Sequence, residues 1–177
     1  MSSKTAYFHL PGLFEFYELY KVFLPIFREH REYFYDWCDI GSIYGAPLDC
    51  IWSGGRVENG EVKPWKVLEL MQDYGISARL TFSNSLLKEE HLADKRCNDI
   101  CSLFAQNKSK KNNQTQSNIQ NTSMESCGAQ NQKIINSYVS NGVIVHSELL
   151  LNYLKNNYPE LYFVSSTTKV ITDFQEL

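Results

Sequence analysis

No stretch of this 177-residue chain holds the roughly 18 uninterrupted apolar residues that a membrane helix needs. The nearest approach, Leu13 to Phe27, is interrupted by Glu15, Glu18 and Lys21 and carries Pro25. A short apolar core with a small-residue cleavage site is missing too. A lone Lys4 is soon followed by Tyr7-Phe8-His9-Leu10-Pro11, so no secretory signal is expected. An excess of positive charge is also lacking. The formal net charge is -3, which supplies no basic field, and nucleic acid is not an expected partner. Cysteine is sparse and odd in number, with five residues at 38, 50, 97, 101 and 127. That count fits reduced thiols better than a disulfide scaffold, and a cytoplasmic location is expected from it. Finally, the chain has no GxSxG elbow, no H-E-x-x-H and no CxxxCxxC triplet. A familiar hydrolase, zinc protease or radical enzyme therefore has no motif to stand on.

What is present is a rhythm. The runs Asp39–Tyr44, Ser77–Phe82, Gly142–His146 and Leu161–Val164 are short and strand-like, and each stops at small polar residues. The stops are Gly45, Ser83-Asn84, Ser147 and Ser165-Ser166-Thr167-Thr168. After Ser83 and Ser147 a helical pattern follows. Parallel strands alternating with helices produce this pattern, and such folds gather their chemistry at the carboxyl ends of the strands. The expected class is α/β, a partial TIM-like barrel in one domain over residues 1–177. A complete barrel takes about 250 residues, more than this chain provides.

Between the strands, Leu13 to Phe34 reads as a long helix with Phe16, Leu19, Tyr20, Phe23 and Phe27 on one apolar stripe, bent or divided at Pro25. Cys50-Ile51-Trp52 is a further short run, and Asn59-Gly60 a hairpin-type turn. Pro64 suits a helix start and Gly75 a helix stop. A helix from Ser85 to Phe104 is expected, with a break at Asp94 and with Cys97 and Cys101 on one face. That pair is either half of a metal site or simply small core hydrophobes. From about 107 to 132 the chain turns polar and low in complexity, the composition of a disordered insertion. Ile134 to Val139 reads as the end of the interrupted helix. Ser147 opens another helix that Asn157-Tyr158-Pro159 ends, and Thr172 or Asp173 opens a last one.

Several residues at the strand ends have chemistry to offer. Gly54, Gly55 and Arg56 follow an apolar run, and glycines beside an arginine suit a phosphate or carboxylate, or equally a plain loop. Ser166, Thr167 and Lys169 follow the last strand, as an anion cradle or a turn cluster. Ser83, Asn84 and Ser147 hold equivalent places. His146 has the titration range of a general base, although no carboxylate is paired with it in sequence. Tyr44 ends the first of the four strands. His146, Asn84 and Tyr44 are the catalytic candidates, and the remaining residues are the ligand-binding ones.

The segments YGISARLTFSN and NGVIVHSELLLNYLKNNYPELYFVSST, over about Tyr74 to Thr168, resemble the N-terminal half of a barrel of the collagenase-like peptidase type. The resemblance implies a protease or an RNA- or quinone-modification factor, with cysteine ligands in the later half of the barrel that have no counterpart here. Two functional expectations result. One is a hydrolase or modification enzyme that binds an anionic small molecule or peptide at the strand ends. The other is a non-catalytic binding or assembly module, or an inactive half-barrel, whose open sheet edges are covered by a second polypeptide or a second copy.

Overall fold

The computed structural model describes residues 5–54, 62–107, 109–110 and 138–169. Seven strands and five α-helices lie within them. The principal sheet is five-stranded and wholly parallel, in the order β1 (Ala6–Pro11), β2 (Cys38–Gly45), β3 (Ser77–Phe82), β6 (Gly142–Val145) and β7 (Tyr162–Ser165). Spatial order follows chain order, and the sheet curls into a half-barrel. Crossovers between parallel strands share one hand, so sequential order places the intervening helices on a single face. The connecting elements are α1 (Tyr17–Glu29), α2 (Pro64–Tyr74), α3 (Glu89–Leu92), α4 (Lys95–Gln106) and α5 (Glu148–Asn157). β4 (Ser109–Lys110) and β5 (Tyr138–Val139) form a separate antiparallel pair.

The alternation of side chains follows from this layering. On the helix-covered face Ile43, Ala78, Leu80, Phe82, Val143 and Val145 are buried, and they meet Val67, Leu68, Met71, Cys101, Phe104, Leu150 and Leu154 from the helices. Two further links hold this layer. Trp52, wholly buried, stands edge-on to Phe82 and Tyr153 and donates its indole N–H to the carbonyl of His91 at 2.8 Å. The buried Asn141 side chain receives the Ala78 N–H at 3.0 Å and donates to the carbonyl of Phe104 at 3.2 Å. It thereby joins the amino ends of two central strands to α4.

The expected α/β half-barrel is therefore present, and several local readings hold. Pro64 is the first residue of α2, and Gly75 closes that helix with φ of 65°, a left-handed conformation that suits glycine. Asp94 does divide α3 from α4, capping α4 through the N–H of Cys97 at 2.8 Å. Other readings require correction. The N-terminal residues Ala6–Pro11 form an edge strand that the four-run pattern misses. α1 passes through Pro25 without division, and its stripe is rotated: Tyr20 and Leu24 are buried while Phe16 and Leu19 are exposed. The apolar run Gly142–His146 is buried on one side alone: Val143 is in the core, and Ile144 is half-buried on the opposite, concave face. Tyr138 and Val139 are strand rather than helix, because β4 offers them a backbone partner. The hairpin at Asn59-Gly60, the helix at Thr172 or Asp173 and most of the 107–132 insertion lie outside the described residues.

The cysteines also depart from expectation. Cys50 and Cys97 are joined by a disulfide between the β2–α2 connection and α4. Cys97 is thus not free to form a ligand pair with Cys101. Cys101 is buried as a small hydrophobe, and desolvation pushes its thiol well above the ordinary range. Among the described residues no group of three or more His, Cys, Asp or Glu side chains is arranged to hold a metal ion.

Candidate functional site

The carboxyl ends of the five strands lie along one rim, and the expected site residues there fall into two groups. Gly54, Ser83 and Asn84 form the first. Gly54 has φ of 78°, and a Cβ there would be in ordinary contact with the Ser83 hydroxyl, at 3.6 Å. Ser83 donates to the carbonyl of Ser53 at 3.1 Å, and the Asn84 amide donates to the carbonyl of Ile51 at 2.8 Å. Asn84 also accepts the N–H of Leu86 at 2.9 Å. These polar groups fasten the β3 end to the loop after β2. Arg56 and Gly55 lie outside the described residues.

His146, Ser166 and Thr168 form the second group. The His146 Nδ1 is 2.9 Å from the Thr168 hydroxyl, which is 2.8 Å from that of Ser166. No carboxylate of the described residues pairs with His146, so this chain of groups lacks the charged orienter of a usual acid–base pair. Thr167 is exposed beside it. Lys169 is engaged in an ion pair with Glu148, which removes it as a free clamp for an anion. Ser147 caps α5 by accepting the N–H of Leu150.

The concave face of the half-barrel holds what the strand-end reading overlooked. Tyr44, Arg79, Gly142 and Tyr162 are consecutive register partners, so the side chains of Tyr44, Arg79 and Tyr162 project to one side. The Arg79 guanidinium lies over the Tyr162 ring, 5.2 Å from its centroid. No carboxylate among the described residues is within ion-pairing distance of it, and its buried Nε has no hydrogen-bond partner. Burial holds the Arg79 pKa below its ordinary value, opposed by the nearby Tyr162. Two residues along the same strand, the buried Thr81 hydroxyl is also unpaired.

Toward β1, His9 Nδ1 is 2.7 Å from the hydroxyl of the fully buried Ser42. Its pKa is lowered, first by partial burial and then by the charge of Arg79. β2 bulges here, between the partners of Phe8 and His9. Gly41 is the extra residue, and a Cβ on it would lie 2.9 Å from His9 Cε1. The signal for this face is present in the sequence: Ser77, Arg79 and Thr81 alternate with Ala78, Leu80 and Phe82, a two-residue period within one strand.

A third feature is a cavity of about 360 Å³ beside the ends of β1 and β2, between the β2–α2 connection and α4. None of the expected site residues among the described residues lines it. No family model, curated protein or solved structure matches the chain.

Proposed function

We propose that the protein binds an anionic small molecule or a peptide carboxylate on the concave face, at the level where Tyr44, Arg79, Gly142 and Tyr162 are register partners, with Arg79 as the group that fixes the anion. One observation carries this reading. The half-buried Arg79 guanidinium lies on a ring without a carboxylate partner among the described residues, and its Nε is unpaired. A desolvated cation with unused donors is costly unless something pairs with it, and a carboxylate or phosphate matches its fork-shaped donor geometry. Tyr44 and Thr81 flank Arg79 on the same face and supply hydroxyls for neutral parts of the ligand. Thermal-shift titration with inorganic phosphate, citrate and a dipeptide tests the reading. Saturable stabilisation by at least one of them, lost in Arg79→Met and weakened in Arg79→Lys, is the expected result. An equal shift in Arg79→Met sinks it.

The resemblance to collagenase-like peptidases adds hydrolase or modification chemistry to this binding role. His146 is then the proton-transfer group of the rim, and His146→Gln should abolish any turnover found on a peptide panel while leaving the anion-induced shift intact. A cytoplasmic location accompanies this reading only if Cys50 and Cys97 are a dithiol in the cell. Acid-quenched alkylation of whole cells distinguishes the two states.

A second reading, an assembly module, has its own support. β1 is a sheet edge, where Phe8 and its ring neighbour Trp37 are exposed, and on α1 Leu19 and Val22 are exposed too, the last by 61%. Uncovered strand edges and apolar patches invite a partner chain. A second polypeptide that adds a parallel strand to β1 would cover both. A concentration-independent monomer in light scattering, with Phe8→Glu leaving solubility unchanged, counts against this reading.

A further inference from the structure

The cavity beside β1 and β2 is walled by apolar side chains from four parts of the chain: Phe14 after β1, Leu48 after β2, Val62 before α2, and Ile100 and Leu103 on α4. Its volume of about 360 Å³ falls in the range of small-ligand pockets, about 300–1,000 Å³. Its polar lining is lopsided. Asp99, which lines it, is held by Lys95 at 2.6 Å. Arg96 donates its Nε to the carbonyl of Leu48 at 3.2 Å and stands 3.6 Å from the Asp49 carboxylate. Lys63 has no carboxylate within ion-pairing distance among the described residues. It occupies the N-cap of α2 without a side-chain cap, and the next residue is Pro64. Lys63 and Pro64 both line the cavity, so the positive end of an 11-residue helix and an exposed lysine with no carboxylate partner among the described residues stand at its rim.

We infer that this cavity is a binding site for an amphipathic carboxylate, separate from the Arg79 face. The apolar body of the ligand lies between Phe14, Leu48, Ile100 and Leu103, and its carboxylate meets Lys63 at the start of α2. The charge arrangement selects the acid over a neutral molecule of the same shape, because Lys63 and the helix terminus both gain from an anion while Asp99 is already neutralised by Lys95. Cys50 also lines the cavity, and its disulfide to Cys97 holds the loop wall against the helix wall.

The test is calorimetric and ligand-observed NMR titration of the oxidised full chain with hexanoate and phenylacetate, paired with hexanol and benzyl alcohol. The acids should bind saturably and about tenfold more tightly than the alcohols, a difference of about 1.4 kcal/mol. Lys63→Met should reduce that preference severalfold, to what the helix terminus alone supplies, and leave alcohol binding in place; an unchanged preference overturns the role of Lys63. Leu103→Trp fills the cavity and should remove both. Leu48→Trp, on the loop wall, is the second filler should the first fail to fold by circular dichroism. Arg79→Met should change nothing here, so failure of the concave-face site and failure of this one are separable. Equal affinity for acid and alcohol, absence of saturable binding, or binding that survives a folded filler variant overturns the inference.

Discussion

On the helix-covered face of the sheet, Ile43, Ala78, Leu80, Phe82 and Val143 have no exposed surface. On the concave face the same strands present Tyr44, Arg79, Thr81 and Ile144, each only half-buried. One residue along a strand therefore separates a position that contributes to packing from one that is free for chemistry. Burial of apolar area is the main stabilising term in folding, and here it is drawn from one side only. The concave side retains a cation, unpaired polar atoms and rings, groups that would be costly in a filled interior. Apolar packing and unpaired polar groups are thus divided between two faces of the same backbone.

The largest expected effect tests that division directly. Phe82→Ala should destabilise the fold by about 3–5 kcal/mol through lost transfer energy and a cavity beneath Trp52. Its neighbour Thr81→Val, on the opposite face, should be neutral or slightly stabilising, because it removes an unpaired hydroxyl. Urea unfolding of both variants provides the measurement. Similar losses from the two would show that both faces carry the core.

The disulfide comes next. It spans a sequence separation of 47 residues and ties the loop after β2 to α4, so it reinforces the helix-covered side alone. Its reduction should cost about 2–4 kcal/mol, mainly through the larger freedom of the unfolded chain. Thermal unfolding with and without reductant, with Cys50→Ser as the control that should no longer respond, checks this. Asn141→Ala should follow at about 1–3 kcal/mol, since the Ala78 N–H loses its buried acceptor. Asn141→Asp restores an acceptor while losing the amide donor to Phe104, so it separates the two halves of that bridge.

The two faces were also unequally legible in the sequence. The helix-covered residues announced themselves, because apolar runs ending at small polar residues are what parallel strands beneath helices require. β1 was hidden. Tyr7, Phe8 and His9 are all exposed at a sheet edge, so the run had no burial pattern to display. On α1, Phe16 and Leu19 are apolar yet exposed, and spacing alone does not say which apolar residues of a stripe find a partner. At the site, Ser83, Asn84 and Ser147 drew notice as strand-end polar residues, but their hydrogen bonds go to the backbone, a demand that residue type does not reveal. Arg79 was the more informative residue, an arginine in alternation with core aliphatics. The disulfide was not legible at all, since Cys50 and Cys97 approach only through the packing of α4 on the loop.

The smallest expected effect concerns His9, and it reports on Arg79. Partial burial and the Arg79 charge both lower the His9 pKa below its usual 6.5, so the folded state prefers the neutral ring more than the unfolded chain does. The unfolded state then binds more protons as pH falls. The stabilising contribution of His9 is therefore fully present above pH 6.5 and is lost as pH falls through the lower folded value. His9→Gln should flatten stability between neutral and mildly acidic pH without altering it at neutrality. The same ring offers a sharper measurement. In Arg79→Met one of the two causes disappears, so the His9 resonance should titrate at higher pH, and an anion bound to the Arg79 guanidinium should raise it in the same direction by neutralising the charge. Partial burial remains in both cases, so the rise should stop short of the ordinary value. A His9 titration that moves with neither Arg79→Met nor phosphate would mean that the concave face does not couple these two groups, and it would leave Arg79 without the anion that its environment calls for.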